Sequence, residues 1–127
     1  MRLRMTCDVC SIEGTITFLG EDCAVTIEGG SHPHIGTVIM ATPRPSLTGN
    51  GTSSTLSVIN RTGHYDDVLL GDVAKRLSSR LGCVVSCTGG IHIDEANKED
   101  IDLLSTMGED IANEIIRTIE ETRESHG

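Results

Sequence analysis

Four of the five histidines stand beside glycines. His32 and His34 flank Pro33 in Gly29-Gly30-Ser31-His32-Pro33-His34-Ile35-Gly36. His64 lies in Thr62-Gly63-His64-Tyr65-Asp66-Asp67, and His92 in Thr88-Gly89-Gly90-Ile91-His92-Ile93-Asp94. Three chemistries fit such corners. Neutral imidazoles with Asp66, Asp67 or Asp94 could hold a divalent metal, but His-Pro-His is not an i, i+4 helical pair and no zinc signature is present. An imidazole could serve as a base toward Ser31, Cys87 or Thr88, yet none of these sits on a nucleophile-elbow pattern. Gly29-Gly30-Ser31 and Thr88-Gly89-Gly90 could bring backbone N–H groups close to a phosphate. Neither matches a phosphate-loop or dinucleotide fingerprint. For each corner the plainer reading is a turn that uses glycine for positive φ.

The five cysteines narrow the options further. Cys23, Cys83 and Cys87 fall in apolar, strand-like segments, where cysteine acts as a small hydrophobe. Cys7-Asp8-Val9-Cys10 is a C-x-x-C. It has no second pair to complete a zinc site, and it does not open a helix after a strand as a thioredoxin-type motif does.

The elements that must position these residues change character along the chain. Thr15–Leu19 and Cys23–Ile27 alternate or run β-branched around Gly20-Glu21-Asp22, a short hairpin. Gly36–Ala41 reads as a third strand, ended by Pro43-Arg44-Pro45, because proline cannot donate to a ladder. A turn-rich loop with Asn50-Gly51 follows, and Thr55–Ile59 is the fourth strand. From Asp66 to Leu81, Leu69, Val73, Leu77 and Leu81 recur at four-residue steps, a helical stripe stopped by Gly82. Cys83–Cys87 is a fifth strand. The last helix is predicted from about Lys98 to Thr122, with Ile101, Leu104, Ile111, Ile115 and Ile119 on one face and Asn97 as its N-cap. The pattern β-β-β-β-α-β-α argues for a two-layer α+β domain: a mostly antiparallel sheet with two helices on one face. The uncovered sheet face makes a homodimer the expected assembly.

Size and charge agree with this outline. At 127 residues the chain is expected to form a single domain, 1–127. It has no tryptophan, one tyrosine and one phenylalanine, so its core must come from aliphatic residues, Met and Cys. No apolar run approaches the roughly 20 residues that cross a bilayer, and no secretory signal is read, so the expected compartment is cytoplasmic. The net charge of −9 disfavours nucleic acid and anionic membranes as partners. Much of the excess acid lies in the last third, where Glu109, Asp110, Glu114, Glu120 and Glu121 form a solvated face.

Taken together, Gly29-Gly30…Pro33-His34-Ile35-Gly36, Gly63-His64-Tyr65-Asp66-Asp67 and Gly90-Ile91-His92-Ile93-Asp94 resemble the LpdD-like family, over about residues 14–120. The family includes small accessory subunits of gallate-type decarboxylase systems. The resemblance implies a non-catalytic binding protein or chaperone for prenylated FMN (or FMN). It would protect the cofactor made by a UbiX-type prenyltransferase or deliver it to a UbiD-type decarboxylase. The implied cofactor-binding residues are Gly29, Gly30, His34, Gly36, Arg61, His64, Tyr65, Asp67, Gly90 and His92, with no catalytic or metal-ligating residue. A flavin phosphate would want backbone donors and a cation, which the glycine corners with Arg61 or Arg44 can offer. Tyr65 or an imidazole could stack on the flavin ring. On this reading His32 is a solvent-facing turn residue. Two other readings stay open: a metal-dependent enzyme using His32, His34, His64 and His92, and a dimeric assembly module without ligand.

Overall fold

The computed structural model describes residues 1–6, 11–61, 66–92 and 97–126. The Cys7–Cys10 motif therefore lies outside the described residues. The chain adopts the expected α+β class. β1 (Arg2–Thr6), β2 (Ser11–Leu19), β3 (Asp22–Gly30), β4 (Thr37–Pro45), β5 (Thr52–Asn60) and β6 (Val85–His92) are joined in one sheet. The helices are α1 (Asp66–Leu81), α2 (Lys98–Thr106) and α3 (Gly108–His126). The sheet order is β1-β2-β3-β6-β4-β5. Every neighbouring pair is antiparallel except β3 and β6, which run parallel. None of the described helices is long and apolar enough to cross a membrane.

Period-two alternation sets one face of the sheet inward. Ile12 and Ile16 of β2, Val25 and Ile27 of β3, Ile39 of β4 and Val85 of β6 are all buried. They meet the helical stripes: Leu70, Val73 and Leu77 of α1, which lies on β4, β5 and β6, and Ile111, Ile115 and Ile119 of α3, which packs on α1 and β1. Gly82 ends α1 as its sequence position suggests, with φ +66° and its N–H donating to the Ser78 carbonyl at 2.9 Å.

Beyond longer spans for β2, β3 and β5, the structure departs from the sequence reading in five places. β1 was not expected: Arg2 and Arg4 mask a five-residue edge strand that pairs Leu3 with Gly14 and Met5 with Ile12. β4 continues through both prolines, because beyond Ala41 it has outrun β6 and keeps β5 as its one ladder partner. A missing N–H on its open side loses no bond there. β6 starts later than expected and runs through Thr88-Gly89-Gly90 to His92, so that corner is strand. The predicted last helix is two helices, broken at Met107. Gly108 opens α3 against α1 so tightly that a Cβ there would overlap the Asp72 carboxylate. Finally, α3 extends to His126, beyond Thr122.

None of the described helices packs on the other face of the sheet. Register places Thr15, Thr26, Thr88, Val38 and Ile59 in one row across β2, β3, β6, β4 and β5. A second row holds Thr17, Ala24, Ser86, Met40 and Ser57. Val38, Met40 and Ile59 are 40%, 49% and 74% exposed. We call this the open face.

Candidate functional site

The strand order dictates where the histidines go. β6 lies between β3 and β4, so the connection from Gly30 to Thr37 must cross the carboxyl end of β6, where His92 stands. Both ends of this strap are tied to β6. The Ser31 N–H and hydroxyl donate to the His92 carbonyl at 2.7 and 3.2 Å, and the Gly36 N–H donates to the Gly89 carbonyl at 2.9 Å. From β5's end, Arg61 fastens the strap's last turn. Its backbone N–H donates to the Gly36 carbonyl at 2.9 Å, and its guanidinium donates to the Ile35 carbonyl at 3.2 Å.

Three imidazoles meet there. The His92 ring lies 5.8 Å from that of His32 and 6.0 Å, edge-on, from that of His34. His34 Nδ1 is 2.9 Å from the His32 carbonyl. Since a carbonyl only accepts, this bond places hydrogen on Nδ1. His32 is exposed, as a turn residue should be, yet its carbonyl sets the His34 ring and its own ring faces His92.

Beneath the strap is a cleft of about 290 Å3, lined by Thr26, Ile27, Glu28, Pro33, His34, Ile35, Thr88 and Gly89. It opens on the helix-free face at the carboxyl end of the parallel pair, the place where sheets containing parallel strands leave room for ligands. Its glycines have a mechanical task. Gly30 (φ +80°) and Gly89 (φ +148°) sit inside strands, and a Cβ would overlap the carbonyl oxygen of His92 or of Ile27 respectively. A Cβ at Gly29 would lie 2.7 Å from the Ser11 carbonyl oxygen. These glycines therefore let β2, β3 and β6 close together beside the cleft, a different use from the turn or phosphate corner read in the sequence.

Of the residues expected to bind a cofactor, His34 lines the cleft and His92 adjoins it. Gly29, Gly30 and Gly36 shape its strands and strap, and Gly90 faces the same side as Glu28, its register partner. Arg61 holds the strap. His64 and Tyr65 lie outside the described residues, and of Asp67 only its place in the first turn of α1 is described. Arg44 is at the far end of β4, roughly 23 Å along the strand from Thr37, where it donates to Thr55 Oγ1 at 3.0 Å. It cannot serve the same pocket. Thr26 and Glu28 were not singled out as binding residues, and Thr88 and Gly89 only as part of a phosphate corner. Glu28 gave a signal, being a charge on the outward phase of an apolar strand.

No group of three His, Cys, Asp or Glu side chains among the described residues is arranged to hold a metal ion. Nor is Cys87 a nucleophile: burial, aided by the neighbouring Cys23, pushes its thiol up to about 12, so it stays protonated and inert. The cleft offers instead an imidazole, two hydroxyls, one carboxylate and apolar walls. This donor set suits part of a flavin: a flat ring against Ile35 or His34, and polar edges toward Thr26, Thr88 and Glu28. The volume is at the lower limit of the roughly 300–1,000 Å3 that encloses small ligands, so the cleft as it stands takes only a portion of such a molecule.

Comparison with known proteins identifies the family. Residues 6–120 match the family model for the prenylated flavin chaperone LpdD-like domain. The chain is also 27% identical over 107 residues to Protein LpdD of Lactiplantibacillus plantarum, covering 83% of this chain and 74% of that protein. The chain belongs to the LpdD-like family of prenylated flavin chaperones.

Proposed function

We propose that this chain is a cytoplasmic carrier for prenylated FMN, which it holds at the histidine-strapped cleft and hands to a UbiD-type decarboxylase. The observation that carries this reading is the cleft itself. Its donors suit a flavin, and its residues include no metal-ligand cluster or activated nucleophile among those described. The His34 imidazole and the Thr26 and Thr88 hydroxyls would bind the ring's polar edges. The Arg61 guanidinium would sit nearest the phosphate, at the end away from Glu28. The chain binds and shields, and the cofactor's chemistry is used in the receiving enzyme. It works as a single domain and as a homodimer, supplied by a UbiX-type prenyltransferase.

Co-expression with a UbiX-type enzyme tests the reading. The purified chain is expected to carry flavin absorbance close to one per chain, and His34→Ala to lower occupancy about tenfold, the loss of roughly one hydrogen bond to the ligand. A folded, flavin-free protein after such loading would sink it.

A further inference from the structure

We infer that the outer edge of β5 is a docking site for an extended segment of another protein, which joins the sheet as a further strand and lays apolar side chains beside Val58 and Val68. The docking does not depend on what the cleft holds. An uncovered strand edge is a template for pairing with another chain, and proteins ordinarily blunt such edges with short strands, charges or proline. The two edges of this sheet differ in that respect. β1 is five residues long and carries Arg2 and Arg4, with Arg2 paired to Glu13 at 3.1 Å. β5 is nine residues long and has neither a charge nor a proline. One edge is blunted and the other is not.

The ladder fixes which groups β5 offers. The Arg61 N–H donates to the Gly36 carbonyl, so these two residues form a hydrogen-bonded pair. Such pairs recur at every second residue of the register, through Ile59 with Val38 and Ser57 with Met40. The N–H and C=O groups of Leu56, Val58 and Asn60 therefore point away from β4, and no described strand lies on that side. Ser57 and Ile59 turn their side chains to the open face, whereas Leu56 and Val58 turn theirs to the helix side.

α1 completes a shelf there. It runs back along β5: Ser54 Oγ lies 2.8 Å from Ser79 Oγ and donates to the Lys75 carbonyl at 3.3 Å, and a Cβ at Gly71 would lie 3.7 Å from Leu56 Cδ1. Two further strand residues, about 7 Å, correspond to about four to five helix residues. Helical side chains lean toward the N-terminus, so that step brings Val58 level with the side chain of Val68. Both are exposed, at 43% and 55%. An added strand would set every second side chain on this shelf while its backbone pairs with β5, the arrangement of β-augmentation. Charge selects among such strands. A chain of net charge −9 disfavours an acidic segment, so the fitting segment is apolar at alternate positions and neutral or basic between them. One end of it lies next to Arg61, which fastens the strap, and this places the partner beside the cleft.

The probe is a synthetic peptide of about nine residues, with valine at every second position and lysine or threonine between. Labelled with a fluorophore and titrated with the full chain, it should bind with a Kd of about 10 µM by anisotropy. The same peptide N-methylated on its pairing side should bind about tenfold more weakly. In the chain alone, amide exchange should be fast at Leu56 and Val58 and slow at Ser57 and Ile59, and bound peptide should slow the first two about tenfold. Val58→Pro removes an outward N–H at an edge that tolerates proline and should abolish binding. If that variant does not fold, Val58→Lys takes its place with the same expected loss. The inference is overturned by a peptide that does not bind, or that binds equally well when N-methylated or to the Val58 variant. Protection of Leu56 and Val58 that rises with chain concentration alone also overturns it, because a second copy would then hold the edge. A flavin-free chain that still binds the peptide supports the docking edge and overturns the carrier reading alone.

Discussion

At the scale of single residues, the site depends on atoms that are absent. Gly30 and Gly89 have no side chain to recognise anything, yet they set the distance between β3 and β6 and so the place of His92. Gly30→Ala puts a methyl into the His92 carbonyl at a φ that L-residues rarely adopt. The substitution should destabilise the fold by roughly 1–3 kcal/mol, measured by urea denaturation, and should weaken flavin binding further because His92 must move. Unchanged stability would mean the strands separate freely there. The glycines were visible in the sequence as a pattern, but their purpose was not. A turn glycine and a close-approach glycine read alike until the neighbouring strand is known. The histidines have the same history. Ser31 meets His92 at 61 residues' separation, and no local periodicity encodes a contact that depends on which strand inserts between which.

At the scale of elements, more was legible. The hairpin β2–β3, the stripe of α1 and its Gly82 stop follow from alternation, four-residue spacing and a positive-φ glycine. The Asn97 cap was also readable, and the structure supplies a reciprocal bond. The Asp100 N–H donates to Asn97 Oδ1 at 2.8 Å, and the Asn97 N–H donates to Asp100 Oδ2 at 3.2 Å. Asn97→Ala should cost about 1 kcal/mol, seen as a lower melting temperature, with flavin binding unaffected. A larger loss would mean α2 does more than lead into α3. What was lost lies at interruptions. The apolar periodicity of Ile101 and Leu104 continues in phase enough with Ile111 and Ile115 to suggest one helix. The break at Met107 comes from the approach of Gly108 to Asp72, a tertiary contact. Similarly, two prolines stop a strand only where both its sides are paired.

At the scale of the whole molecule, charge and layers are divided. Most of the acid lies on the helix layer, where Arg117 donates to both Glu114 and Glu121 and holds the Glu114 carboxyl below its usual range. Those pairs are exposed and add little each, so the surplus negative charge dominates the salt response. Raising sodium chloride from about 10 to about 150 mM shortens the screening length from about 30 to about 8 Å. This should raise the melting temperature by about 3 °C, read by differential scanning calorimetry. A fall would show that ion pairs outweigh the repulsion. The α+β class itself was within reach of composition and element order, whereas the sheet order was not, because β6 is inserted rather than appended.

That insertion has a consequence in time. The hairpins β2–β3 and β4–β5 pair segments close in sequence and can form while the chain is still emerging from the ribosome. The place between them stays empty until residues 85–92 arrive. Thr88 and Gly89 are cleft walls, and His92 is the anchor of the strap. A nascent chain therefore has no pocket to offer. On the proposed carrier role the cofactor would meet a finished protein, and loading would be a separate, later event from synthesis.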